Sequence, residues 1–267
     1  MEPALAVALV WLVFAASHIG LASPRIRSPL VARLGRWGFQ GLFVAVASLA
    51  WTLAVSTYAA LQHEGAAGLA LGRFEPARSL LVGAVVLGVV LMASAFADYG
   101  RSPYALAGER AREAHGLARV TRHPFFVGML LFAGAHALLA TRLVGTLAMG
   151  GLALLAGLGA WHQDRKLLVL RGETYADYLA TTSAVPFAAI LAGRQRLVLS
   201  ELPVALPLVG LALAYALRAV HAGVFAHRGA YVIGAVVGGA LFILIGEWRR
   251  ERRTRRAHAL GPPREAT

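Results

Sequence analysis

Seven long stretches of this 267-residue chain carry almost no charge, and their lengths restrict the fold more than any motif does. The hydrocarbon core of a bilayer takes about 20 mostly apolar residues of helix to cross. Windows at about 4–21, 38–60, 79–97, 124–141, 143–161, 203–222 and 229–247 meet that requirement. Backbone in hydrocarbon must satisfy its own hydrogen bonds, and a helix does so within one segment. The expected fold class is therefore all-α, a polytopic transmembrane helical bundle of about seven spans. Composition agrees: 58% of residues are hydrophobic and 15% charged, against about 45–50% and about 25% in soluble domains.

The direction of threading follows from Lys and Arg. With the N-terminus outside, 21 of the 26 basic residues fall in segments on the cytoplasmic side, leaving Arg73, Arg78, Arg142, Arg218 and Arg228 outside. That asymmetry predicts N-out, C-in. It also accounts for the net charge of +13 without nucleic acid, for which no binding motif is present; the partner implied is a bilayer with anionic headgroups. Leu21-Ala22-Ser23 resembles a signal-peptide cleavage site, but the segment before it offers Glu2 and no basic residue, so residues 1–22 are expected to stay as a span.

Three parts are expected: residues 1–196 with five spans, residues 197–248 with two more, and a basic tail at 249–267 that is disordered and drawn to lipid. Asp164 to Ala180 mixes leucines and Tyr175 and Tyr178 with Lys166, Arg171, Glu173 and Asp177, which predicts an interfacial helix broken at Gly172. Gly234 and Gly238 form a small-residue face for helix packing inside the bundle. No inverted repeat or pair of interrupted spans suggests a transporter.

With no cysteine in the chain, thiolate metal ligands, disulfides and Cys nucleophiles are excluded. Nine histidines remain, and the topology sorts them by depth. His18, His115, His123 and His162 fall near the cytoplasmic edge, His63, His221 and His227 near the outer edge, His136 inside span four or in its outer half, and His258 in the tail. An intramembrane histidine often only hydrogen-bonds a neighbouring helix, whereas several together can hold haem iron. His123 and His136 are separated by thirteen residues, about 20 Å of helix rise, so they cannot ligate one iron on a continuous helix. His18 shares its depth with His123. A His18–His136 pair would need one of their spans to be placed differently, and periodicity chooses neither pair. Arg122-His123-Pro124 opens a span, with proline suited to the first turn and free N–H groups able to meet an anion. Arg122 either serves such a ligand or anchors the helix at the headgroups.

These polar knots resemble those of the NnrU family of bacterial inner-membrane proteins, whose plant and cyanobacterial relatives include 15-cis-zeta-carotene isomerase. The matching pieces are Ser17-His18-Ile19-Gly20-Leu21-Ala22-Ser23-Pro24-Arg25, then Arg119-Val-Thr-Arg-His-Pro-Phe-Phe-Val-Gly128, then Gly134-Ala-His136. His162-Gln-Asp-Arg-Lys166, Tyr175 and Thr182-Ser-Ala-Val-Pro-Phe-Ala-Ala-Ile-Leu-Ala-Gly-Arg-Gln195 follow, so the resemblance covers roughly 5–196. It implies a multi-pass bacterial inner-membrane protein with a possible haem b, iron ligated by His18 and His136, and a redox-linked isomerase or denitrification-associated role. His123 is a competing ligand, and Arg122 faces a propionate. Asp164, Arg165, Thr182, Ser183 and Arg194 belong to the same motifs.

A second, partial resemblance is to isoprenylcysteine carboxyl methyltransferases, which share the Arg-His-Pro-aromatic helix start and the Gly172-Glu-Thr-Tyr175-Ala-Asp-Tyr178 segment. Their acidic pair is replaced here by Gln163-Asp164. It implies S-adenosylmethionine held by His123, Arg122 and Asp164. A third reading is a noncatalytic accessory protein with membrane partners. Whether the chain is an enzyme is left open by its residues, as is a hydrophobic small-molecule substrate.

Overall fold

The computed structural model describes residues 2–97, 99–103 and 113–259, with side chains as far as Arg253. Of the basic residues assigned to the cytoplasmic side, Arg110, Arg112 and Arg264 lie outside the described residues. Ten α-helices follow in order: α1 (Pro3–Ala22), α2 (Pro24–Leu61), α3 (Glu75–Ser94), α4 (Leu117–Val120), α5 (Pro124–Leu139), α6 (Leu143–Arg171), α7 (Glu173–Thr181), α8 (Ala188–Leu191), α9 (Ala205–Ala219) and α10 (Ala226–Ala259). Among the described residues there is no strand, only an isolated bridge between Ala67 and Arg142. Each of the seven apolar windows lies on a helix. By length and composition α1, α2, α3, α6 and α10 can cross a membrane, while α5 and α9 are shorter apolar helices. Proline stands in the first turn of α1, α2, α3 and α5, where its missing N–H costs nothing.

Packing orders the helices as α9, α3, α5, α6, α1, α2 and α10, each against the next. Where α3 crosses α5, a Cβ on Gly88 would stand 2.6 Å from the Gly128 carbonyl oxygen, and one on Gly128 would stand 2.7 Å from that of Gly88. Two helices in lipid gain little from hydrophobicity and depend on such close approach. The core between α1, α2 and α6 sets Val7, Trp11 and Phe14 against Ala50, Ala54, Val144 and Ala148. Large aromatics from one helix thus fill the space left by small residues on two others.

Polar groups gather at the two ends. At one end the 66–70 loop pairs with the α5–α6 turn, through Gly68 N–H to the Thr141 oxygen (3.0 Å) and Leu143 N–H to the Ala66 oxygen (2.9 Å). The other, more basic end holds the α1–α2 junction, the 113–123 segment and residues 172–204. That end carries the basic residues on which the expected N-out, C-in orientation rests.

Three expectations change. The interfacial helix over 164–180 is divided: residues 164–171 continue α6 without a break, and only α7 stands apart, beyond the turn at Gly172. Of the tail expected to be disordered, residues 249–259 are instead helical, continuing α10 as far as Ala259, and residues 260–267 lie outside the described residues. Helix α2 begins at Pro24, well before the apolar window, and is broken at Gly35, whose φ of 71° suits glycine alone. The break folds the basic stretch back, so that the Arg27 guanidinium lies 5.5 Å from the Phe39 ring. On a straight helix, twelve residues would separate them by about 18 Å.

Candidate functional site

The two polar knots of the sequence are bonded to each other at the basic end. Arg122 N–H donates to the Ser183 carbonyl (2.8 Å) and Phe187 N–H to the Val120 carbonyl (2.8 Å). The Thr121 hydroxyl donates to the Ala184 carbonyl at 2.8 Å. Segments some sixty residues apart are thereby locked side by side just before α5 begins. The Thr182 hydroxyl, buried, donates to the Tyr178 carbonyl (2.6 Å), closing the end of α7. Arg194 reaches back to the carbonyls of Ala180 (2.7 Å) and Thr182 (3.2 Å).

Asp164, on α6, is the centre of this assembly. Its Oδ2 accepts from Arg122 Nε at 2.9 Å and from the terminal Nη2 at 2.7 Å. Its Oδ1 meets His123 Nε2 at 2.9 Å and accepts from the Tyr175 hydroxyl at 2.6 Å. One carboxylate therefore joins the start of α5 to α6 and α7. His123 and Tyr175 are buried, and Asp164 retains only 14% of its side-chain exposure. Charge-assisted bonds of this kind are stronger than neutral ones, and a site this dry makes each partner expensive to lose. With the carboxylate as acceptor, His123 carries its proton on Nε2. Burial also pushes the Tyr178 phenol above its ordinary range.

Beside this network, Arg101, His115, Arg122, Pro124 and Tyr178 line a cleft of about 40 Å³ at the start of α5. A second clamp closes its edge. Arg119 grips Glu201 through Nε (2.7 Å) and Nη2 (2.9 Å), and Gly116 N–H donates to the same carboxylate at 2.9 Å. The Arg119 bonds, helped by Gly116, hold the Glu201 carboxyl down at about 2.

The expected residues divide accordingly. Arg122, His123, Asp164, Thr182, Ser183 and Arg194 come together. Arg165 turns away, its guanidinium 4.4 Å from the Trp161 ring. Tyr175 and Glu201 were not among the expected site residues. Tyr175 lies in a quoted motif, and Glu201 is an isolated acid at the edge of an apolar run, which was the available signal.

The histidines expected to share an iron are kept apart. Helix α1 runs parallel to α6, with Trp11 against Gly151 and His18 near Lys166. Helix α5 runs antiparallel to it, with Phe126 against Gly159 and Thr146 bonded to the Ala137 carbonyl. By that register His18 and His136 differ by about eleven residues of α6, roughly 17 Å of rise along the bundle. His18 and His123 share a depth, but the Lys166 and Asp164 faces they meet are about 200° apart around α6. Instead His136 has the His221 ring nearby, with centroids 6.2 Å apart and planes within 9°. His136 Nδ1 bonds the Phe132 carbonyl at 2.8 Å, which leaves Nε2 as the lone-pair nitrogen of a neutral ring. Among the described residues no group of three or more His, Asp or Glu is placed to hold a metal ion.

Comparison with known proteins gives the following. The profile of the NnrU protein family matches residues 6–254, and so includes α9 and most of α10, beyond the 5–196 covered by the motifs. The chain is 32% identical over 203 residues to the chloroplastic 15-cis-zeta-carotene isomerase of Arabidopsis thaliana, covering 73% of this chain and 52% of that protein. It is 43% identical over 82 residues to the Zea mays protein of the same name, covering 31% of this chain and 22% of that one. The chain thus spans about half the length of the Arabidopsis protein, or less in the maize alignment. No solved structure matches it.

Proposed function

The chain belongs to the NnrU protein family, and from that premise we propose that it is an integral-membrane isomerase acting on cis double bonds of a long apolar polyene, with the Asp164 network as its working polar centre. The observation that carries this reading is the single buried carboxylate joining Arg122, His123 and Tyr175, in a chain 32% identical over 203 residues to a protein named for such an isomerisation. The exposed apolar flanks of the helices suit a substrate that arrives through lipid. The short bonds around Asp164 fix the orientation of His123 and Tyr175, the two groups able to hold or move a proton beside the polyene. The methyltransferase reading draws no comparable support, because both oxygens of Asp164 are already taken up by protein donors.

Haem b belongs to the proposal with a changed ligand set. His136 would hold it, and the neighbouring imidazole, 6.2 Å away between ring centroids, is that of His221 rather than His18. When bound, haem supplies reversible one-electron chemistry. Membership of a bacterial inner membrane and a tie to denitrification are the family-level part of the proposal.

The test is conversion of 15-cis-zeta-carotene in proteoliposomes by protein expressed with haem, followed by chromatography of the isomers. Isomerisation that falls by roughly 100-fold in Asp164→Asn, in the range of a lost acid–base group, is expected. Equal rates in empty and protein-bearing vesicles would contradict the proposal.

A further inference from the structure

The cleft beside the Asp164 network is lined by two hydroxyls that the network does not use. Ser94, the last residue of α3, is 3% exposed, and its Oγ has no hydrogen-bond partner among the described residues. Tyr178, on α7, is 5% exposed, and its hydroxyl likewise bonds nothing among the described residues. Buried polar atoms are nearly always paired, so two orphaned hydroxyls on one cleft call for an occupant. Burial holds the Tyr178 phenol above its ordinary range, and it therefore stays a donor. Pro124 lines the same cleft, which places it against the amino end of α5, where no side chain caps the first turn. The N–H groups there favour a negative charge. Arg101 and Glu113, also on the lining, are exposed and opposite in sign, so solvent-screened charge does not decide what enters. Arg122 and His115 each already face a carboxylate, that of Asp164 and that of Glu201. The buried donors are what remains to be met. About 40 Å³ holds about three waters or the three heavy atoms of one carboxylate, and is tight for a phosphate. Water would satisfy the hydroxyls singly, but it leaves the electropositive helix end unanswered.

We propose that this cleft binds a carboxylate, with Ser94 and Tyr178 donating to its oxygens beside the amino end of α5. The site is independent of the isomerase reading. It ties the end of α3 to α5 and α7, and it abuts the Asp164 network. The Tyr178 ring stacks on Tyr175, with centroids 5.8 Å apart and planes 25° apart, and Tyr175 donates to Asp164. The carboxylate belongs either to a water-soluble acid or to a fatty acid of the adjoining leaflet.

The experiment uses the full chain in detergent and fluorine NMR of trifluoroacetate as the carboxylate probe, with ionic strength held constant by chloride and empty micelles as the blank. Saturable binding is expected, weakened by roughly tenfold or more in Ser94→Ala/Tyr178→Phe, which removes both hydroxyls and no charge. Arg249→Gln/Arg253→Gln, which removes charge from α10 outside the cleft, should bind the probe as the native chain does. No saturable binding, or equal loss in both variants, or none in the hydroxyl variant, overturns the site and leaves water as its occupant. If the double variant does not fold, Tyr178→Phe alone carries the same comparison. Competition then separates the sources. Decanoate that displaces the probe at a concentration tenfold or more below acetate supports a fatty acid, and equal displacement supports a water-soluble acid. Inorganic phosphate that displaces it better than both overturns the carboxylate assignment.

Discussion

At the scale of single residues, Asp164 shows what a sequence discloses and what it conceals. An acid in a stretch such as His162-Gln-Asp-Arg-Lys166, at the end of an apolar run, is conspicuous, so its involvement was legible. Its partners were less so. Arg122 and His123 stood in a recognisable motif, but nothing in their spacing says that both reach one carboxylate some forty residues away. Tyr175 was visible as part of a motif without a role, because the role depends on α7 folding back beside α6. Glu201 was missed for a related reason: its value lies in Arg119, more than eighty residues earlier. That clamp gives a pH prediction. Glu201 titrates at about 2 in the folded chain against an ordinary 4.5, so its stabilisation is fully present above about 4.5 and is lost as pH falls toward 2. The melting-temperature difference between the native chain and Glu201→Gln should therefore be largest above pH 4.5 and shrink toward zero near 2. A difference that stays constant across that range would show that the clamp does not hold.

At the scale of elements, helix ends were the most legible feature, since proline, glycine and charge mark them directly. The continuation of α6 through Arg171 and of α10 through Ala259 escaped the reading, because charge signals departure from hydrocarbon but not departure from helix. The break in α2 was equally hidden: Gly35 is one of 29 glycines, and only its backbone conformation singles it out. Depth along helices was legible, as with His123 and His136. Lateral position was not, so His18 and His123 could be placed at one level without showing that α6 stands between them. The crossing of α3 and α5 makes a direct prediction. A Cβ at Gly128 meets the Gly88 carbonyl at 2.7 Å, and overpacking of this kind costs about 1–3 kcal/mol. Gly128→Ala should lower the melting temperature in detergent, whereas Gly134→Ala, where a Cβ meets nothing within 4 Å, should leave it nearly unchanged.

At the scale of the whole molecule, the bundle class follows from the apolar runs alone, and the family match extends that agreement over almost the full chain. The structure adds that the two polar knots belong to one end, so the proposed chemistry has a side of the membrane. The absence of cysteine makes that side measurable with single introduced thiols. In intact bacterial cells, Arg142→Cys should react with a membrane-impermeant maleimide and Arg165→Cys only after the cells are opened. The reverse pattern would invert the topology.

The central claim is that Asp164 binds the start of α5 to α6 and α7 as one working unit. A double-mutant cycle on Arg122→Gln and Asp164→Asn, read both as unfolding free energy and as isomerisation rate, tests it most directly. Residues in one such network couple by about 0.5–3 kcal/mol. The double variant should therefore be little worse than Asp164→Asn alone in both readouts. Effects that simply add would mean that the two side chains act separately, and the site described would not exist as a unit.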